Sequence, residues 1–141
     1  MTAPADTATT ALTRPAAKGW CPGALRPMMS GDGLLVRIRP RLGRLCAGQA
    51  TALCTAATTY GSGVIDLTSR ANLQVRGVQP ARYDALLADL DVVGLVDQNE
   101  ATETRRNILT SPFWVHGDDT WQLATGLDAR LSELPELPAK F

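Results

Sequence analysis

The sequence predicts an α+β domain in which a strand, a helix, two strands and a second helix follow one another, with a short strand and a third helix behind them. Three observations carry this. Single apolar residues alternate with polar ones in two separate runs, 33–40 and 64–78, as strands with one buried face require. Apolar residues recur every three or four positions over 42–60 and 81–93, which is the spacing of a helix with one apolar stripe. Glycine or proline stands at the joins between these runs. With 141 residues, 45% of them hydrophobic and only 5% aromatic, the chain has the material for one domain with an aliphatic core.

Residues 1–18 are rich in Ala, Thr and Pro and lack both the positive segment and the apolar run of a secretory signal. They are expected to be a disordered lead-in. The domain proper is placed at 19–95. Its first segment, "GWCPGALRPMMSGDG", reads as extended or looping chain. The glycines of "SGDG" read as a turn, because a strand rather than a helix follows them and a phosphate loop needs the helix. "GLLVRIRP" is the first strand, with Leu34, Val36 and Ile38 on one face and Leu35, Arg37 and Arg39 on the other, closed by Pro40.

The first helix is expected over 42–60, with Leu42, Leu45, Cys46, Ala50, Leu53, Ala57 and Tyr60 as its stripe and "GSG" beyond its end. Two strands follow, 64–68 and 72–76, around a corner at 69–71. Leu73 and Val75 take one face; Gln74 and Arg76 take the other, in step with Arg70 at the corner. Pro80 suits the first turn of a second helix carrying Tyr83, Leu86, Leu87, Leu90 and Val93, which Gly94 ends. Residues 96–141 are expected to begin a following domain. A short strand is predicted at 107–110, then a third helix capped by Asp118 or Asp119, with Trp121, Ala124, Leu127 and Leu131 on its stripe.

This order is the β-α-β-β-α part of a ferredoxin-like sandwich. Two helices cover one sheet face, which leaves Arg37, Arg39, Gln74 and Arg76 on the other, with Arg70 at its corner and Arg106 nearby. Guanidinium forks bind carboxylates and phosphates bidentately, so the pattern suits a polyanionic ligand. The bland alternative is a solvated sheet surface, where scattered arginine is ordinary.

Other chemistries find little support. The 14 basic and 14 acidic residues cancel, so no global field draws the chain to nucleic acid or membrane. The polar strand positions carry no aromatics on which RNA bases would stack. No apolar run reaches the ~20 residues of a membrane span. Three cysteines at unpatterned spacing suggest no disulfide framework and a reducing, cytoplasmic setting. Cys46 and Cys54 read as buried helix residues, Cys21 as a loop residue, and His116, the lone histidine, as a loop residue beside Asp118 and Asp119 rather than a metal ligand. No metal site and no catalytic acid, base or nucleophile is identified.

"LTSRANLQVRGV" resembles the Thr-x-Arg-x-x-x-Gln signature of the nitrite and sulfite reductase ferredoxin-like half-domain superfamily, and "TRRNILTSP" resembles its Arg-Asn segment. "CPGALRPMMSGDGLLVRIRP" is similar to one branch in particular, the precorrin-3B synthases of aerobic cobalamin biosynthesis. The resemblance runs from Trp20 to Phe141. It implies an oxidoreductase that binds a carboxylate-rich tetrapyrrole, precorrin-3A, and hydroxylates it with oxygen. By motif, Arg70, Gln74 and Arg106 are the expected substrate anchors, with Arg37, Arg39 and Arg76 as supporting charge. It further implies a 4Fe–4S cluster and another iron in the full-length enzyme, none of them in this chain. The chain then corresponds to an amino-terminal portion whose partners are a second half-domain and a cluster domain. Two alternatives stay open: part of a sirohaem sulfite or nitrite reductase, and a non-catalytic module that binds a tetrapyrrole or another anion.

Overall fold

The computed structural model describes residues 21–135; the expected lead-in at 1–18, Trp20 and the tail at 136–141 lie outside the described residues. The two alternating runs supply three strands of a four-stranded antiparallel sheet. Its strands are β1 (Met28–Ser30), β2 (Gly33–Ile38), β3 (Ile65–Leu67) and β4 (Leu73–Val78), in the spatial order β1-β2-β4-β3. β1 occupies a segment expected to loop. It forms a hairpin with β2 through the "SGDG" turn, pairing Ser30 with Gly33 and Met28 with Leu35.

The β2–β4 ladder is interrupted by a bulge. Val36 pairs with Val75 and Leu34 with Val78, so Arg76 and Gly77 together face Leu35. The extra residue lets both Val75 and Val78 reach the same buried side. Gly77 takes φ 65°, and a Cβ there would lie 2.8 Å from the Ser62 Cβ. Only glycine meets both demands.

Two helices, α1 (Ala47–Tyr60) and α2 (Tyr83–Val92), pack against each other and close one sheet face. The core joins Val36, Ile38, Val75 and Val78 from the sheet to Leu53, Ala56 and Ala57 of α1 and Leu86 and Leu90 of α2, with Ala24 and Leu95 at its margins. Tyr60 donates a 2.6 Å hydrogen bond to Asp89 and so ties the two helices at their surface. Pro80 opens a single 3-10 turn (Pro80–Arg82) leading into α2.

α1 begins five residues later than its periodicity suggested. The residues before it form a 3-10 turn (Arg41–Gly43) in which Leu42 has φ 52°, and Cys46 serves as N-cap, its sulfur accepting from the Gln49 amide at 3.5 Å. The expectation that Cys46 and Cys54 are buried is therefore overturned: both are exposed, as is Cys21. Cys46 precedes the first turn. Cys54 lies one residue, about 100°, round the helix from buried Leu53, and Ala56 takes the inward place instead.

Beyond α2 the chain forms α3 (Glu100–Arg105), which the sequence did not signal, and α4 (Asp119–Arg130). Asp118 caps α4 by accepting from the Trp121 amide at 2.7 Å, and Ala124 and Leu131 are buried while Leu127 is not. The strand expected at 107–110 does not form. The outer positions of the sheet are held by β1 and β3, and residues 107–110 pair with neither. The segment is fastened by side chains instead: Asn107 accepts from Asn72 at 3.0 Å, and Thr110 donates to the Leu42 carbonyl at 3.2 Å. The same carbonyl accepts from the Trp114 indole, and Arg44 stacks 3.7 Å over the Trp114 ring.

Candidate functional site

On the sheet face away from α1 and α2, register sets Arg37, Gln74 and Asp66 in one row across β2, β4 and β3. With the Gln74 amide oriented to satisfy its neighbour, its oxygen accepts from Arg37 Nη2 at 2.7 Å and Nε at 3.1 Å. A neutral amide thus orients the Arg37 fork without cancelling its charge. No carboxylate among the described residues pairs with Arg37.

Arg76 lies two residues along β4 and bridges two acids. Its Nε is 3.3 Å from Asp32 Oδ2 and its Nη2 is 3.5 Å from Asp32 Oδ1; Nη1 is 3.6 Å from Asp66 Oδ2. Arg76 Nη2 also donates to Ser30 Oγ at 3.3 Å. The Asp32 carboxyl is held below its ordinary pKa, first by its hydrogen bond with Ser30 and then by a backbone amide and the charge of Arg76.

The corner after β3 is built by Thr68. Its hydroxyl accepts from the Asn72 amide at 3.2 Å, its own amide donates to the Asn72 carbonyl at 2.9 Å, and its carbonyl accepts from Ala71 at 3.1 Å. Thr68 therefore shapes the turn, with Ala71 at φ 54°, and leaves Arg70 exposed. Arg70 has no ion-pair or hydrogen-bond partner among the described residues.

Arg39 and Arg106 are placed differently from the sequence reading. Both are buried, at 8% and 7% exposure, against Glu103 and Asp97 at 3% and 4%. Arg106 makes a bidentate pair with Asp97, both contacts 2.8 Å, and gives a further bond to the Arg39 carbonyl at 2.7 Å. Arg39 Nη1 donates to the Glu103 carbonyl at 2.7 Å and lies 3.7 Å from its carboxylate; burial lowers the Arg39 pKa and Glu103 opposes that shift. The Glu103 carboxylate also accepts from the amides of Ala24 and Leu25. The cause is topological. α3 and the 22–25 segment close over the end of β2, so the strand alternation that assigns Arg39 to an open face no longer applies there.

The open face is thus Arg37, Arg70, Arg76 and Gln74, with Asp32 and Asp66 as unforeseen members. Asp66 shares the parity of the polar strand positions and was legible on that ground; Asp32 sits in a turn and gave no such signal. Glu103 and Asp97 carried none. Among the described residues no group of His, Cys, Asp or Glu is placed to hold a metal, and no helix is long and apolar enough to cross a membrane. The three cysteines of the sequence do not fit a four-thiolate iron–sulfur cluster.

Comparison with known proteins agrees with this architecture. Residues 26–93 match the nitrite/sulfite reductase ferredoxin-like half domain. A precorrin-3B synthase from Sinorhizobium sp is 46% identical over 69 residues, which cover 49% of this chain and 15% of that protein. A ferredoxin–nitrite reductase from Leptolyngbya laminosa is 32% identical over 94 residues, 66% of this chain and 18% of the relative. Another, from Synechococcus elongatus, is 32% identical over 130 residues, 82% of this chain and 25% of the relative. The chain spans a quarter or less of the length of these relatives. No solved structure matches it significantly. Residues 26–93, which run from before β1 to just beyond α2, are thus similar to the nitrite/sulfite reductase ferredoxin-like half domain.

Proposed function

We propose that the half-domain binds a carboxylate-rich tetrapyrrole on its open sheet face, as part of a precorrin-3B synthase-like oxidoreductase of cobalamin biosynthesis. The observation that carries this is Arg37, whose fork is oriented by neutral Gln74 and has no carboxylate partner among the described residues. Arg70, likewise without a partner among the described residues, stands at the corner between β3 and β4. A cation fixed in place but left uncompensated gains most from an incoming carboxylate. The 46% identity to a precorrin-3B synthase supports the choice of tetrapyrrole. Of the six residues singled out in the sequence, Arg37, Arg70, Gln74 and Arg76 are proposed as the contact set, and Arg39 and Arg106 as its scaffold. Residues 96–141 are proposed to lead into the next domain.

A second reading, a sirohaem-type nitrite or sulfite reductase, draws support from alignments with nitrite reductases that reach further along the chain. In both readings the face holds the acid groups of a macrocycle, and the chemistry belongs to the whole protein.

The test is fluorescence titration of the 141-residue chain with uroporphyrin, an octacarboxylate. Arg70→Ala is expected to weaken binding by roughly tenfold to a hundredfold, the loss of one charge-assisted bond. Arg70→Lys should fall between it and the parent, because it keeps the charge and loses the planar fork. Circular dichroism should be unchanged in both. Equal affinity in the parent and Arg70→Ala, or no binding by the parent, refutes the assignment.

A further inference from the structure

We propose that Arg76 is a latch held by the protein's own carboxylates, Asp32 and Asp66, which a ligand carboxylate must displace. On this view the two aspartates determine the selectivity of the face, and the inference rests on the anion-binding reading above. Three features lead to it.

The first is the quality of the contacts. Arg106 and Asp97 meet bidentately at 2.8 Å out of reach of water. Arg76 divides its fork among Asp32, Asp66 and Ser30 at 3.3 to 3.6 Å. Charge-assisted bonds are normally ~2.7–2.9 Å, so every contact of Arg76 is stretched. The second is exposure. The Arg76 side chain is 29% exposed, and those of Asp32 and Asp66 are 40% and 48% exposed. Pairs this open to water are weak, and exchanging one carboxylate for another leaves no charge buried and unpaired. The buried pairs offer no such exchange.

The third is charge. Arg37, Arg70 and Arg76 supply three positive charges, and Asp32 and Asp66 cancel two of them. An anion with one carboxylate meets a face close to neutral and must compete for Arg76. A ligand with several carboxylates engages Arg37 and Arg70 first, and that attachment raises the effective concentration of its next carboxylate at Arg76. The acids thereby favour polycarboxylates over simple anions, as a repulsive element in a site commonly does. The latch also reaches the β1–β2 turn, because Arg76 contacts Ser30 at the end of β1 and Asp32 in the turn itself.

The experiment is a double-mutant cycle read by uroporphyrin titration, with acetate as competitor. Asp32→Asn and Asp66→Asn are each expected to tighten uroporphyrin binding about three- to tenfold, and to make acetate a better competitor. In an Arg76→Ala background the same substitutions should change affinity less than about twofold. A second readout needs no ligand: amide exchange at 31–33 should speed up in Arg76→Ala with the rest of the sheet unaltered. Tightening that persists without Arg76 would show a general field effect and overturn the latch. So would unchanged affinity in both Asn variants, or unchanged exchange at the turn. If Arg70→Ala still weakens binding in any of those cases, the anion-binding reading stands while the latch fails. If the parent binds no uroporphyrin, both fail.

Discussion

Replacing Arg106 by alanine separates a scaffold from a ligand contact. In the structure Arg106 gives three hydrogen bonds of 2.7–2.8 Å, two to the Asp97 carboxylate and one to the Arg39 carbonyl. Truncation strands a carboxylate that is 4% exposed and leaves a buried carbonyl without this donor. Breaking a buried pair in this way costs about 3–5 kcal/mol. With a urea m-value of about 1–3 kcal/mol/M for a small domain, the unfolding midpoint should fall by ~1 M or more. The assay is urea denaturation at pH 7 followed by circular dichroism. Arg106→Lys should recover only part of the loss, because one ammonium cannot reproduce the fork. Replacing both partners, as Arg106→Met with Asp97→Leu, should lie within ~1–2 kcal/mol of the parent, since no charge is then left unpaired. An exposed ligand contact would instead shift stability by no more than ~0.5 kcal/mol. A midpoint for Arg106→Ala indistinguishable from the parent would falsify the scaffold assignment.

Two further expectations concern the fold around this site. The Tyr83 hydroxyl donates to the Ala24 carbonyl at 2.6 Å, and burial, reinforced by Glu103, raises its pKa to about 12. A raised phenol pKa favours the protonated folded form, so its contribution is full below pH 10 and is lost as pH rises from 10 to 12. Urea midpoints should drop across that window, and Tyr83→Phe, about 1 kcal/mol less stable at pH 7, should flatten the drop. Gly77→Ala should cost at least ~1–2 kcal/mol from its φ of 65° alone. Ser62→Gly in the same chain should recover only the part due to the 2.8 Å clash, which thermal denaturation of the single and double variants would measure.

Periodicity made most of the half-domain legible. β2, β4 and α2 announce themselves because their buried residues follow the alternation or the three-to-four spacing that burial imposes, as Val36 with Ile38 and Leu86 with Leu90 do. What escaped has physical causes. β1 is only three residues long between Pro27 and a glycine turn, too short to display a period. α3, "EATETR", buries Glu103 and none of its other residues, so a search for apolar stripes passes over it. The start of α1 was misplaced because Leu42 and Leu45 continue its spacing into a turn with a positive φ. The site divides along the same line. Arg37, Gln74 and Arg76 share a face because strand parity is local. The burial of Arg39 depends on Glu103, 64 residues away, and no local pattern encodes a contact of that reach.

That long reach bears on the order in which the chain can become structured. The central ladder joins Ile38 to Leu73 and Leu34 to Val78, so the β1–β2 hairpin has no lasting partner until α1 and β3 have been made. Glu103 then reaches back 79 residues to the Ala24 amide. Closure over such separations costs chain entropy before any contact repays it. A ribosome-bound chain that ends before α3 therefore holds a sheet whose 22–25 margin is unsealed and whose Arg39 lacks its carboxylate. Emergence of one short polar helix seals that margin. "EATETR" accordingly bears on when the fold closes as well as on how firmly it holds.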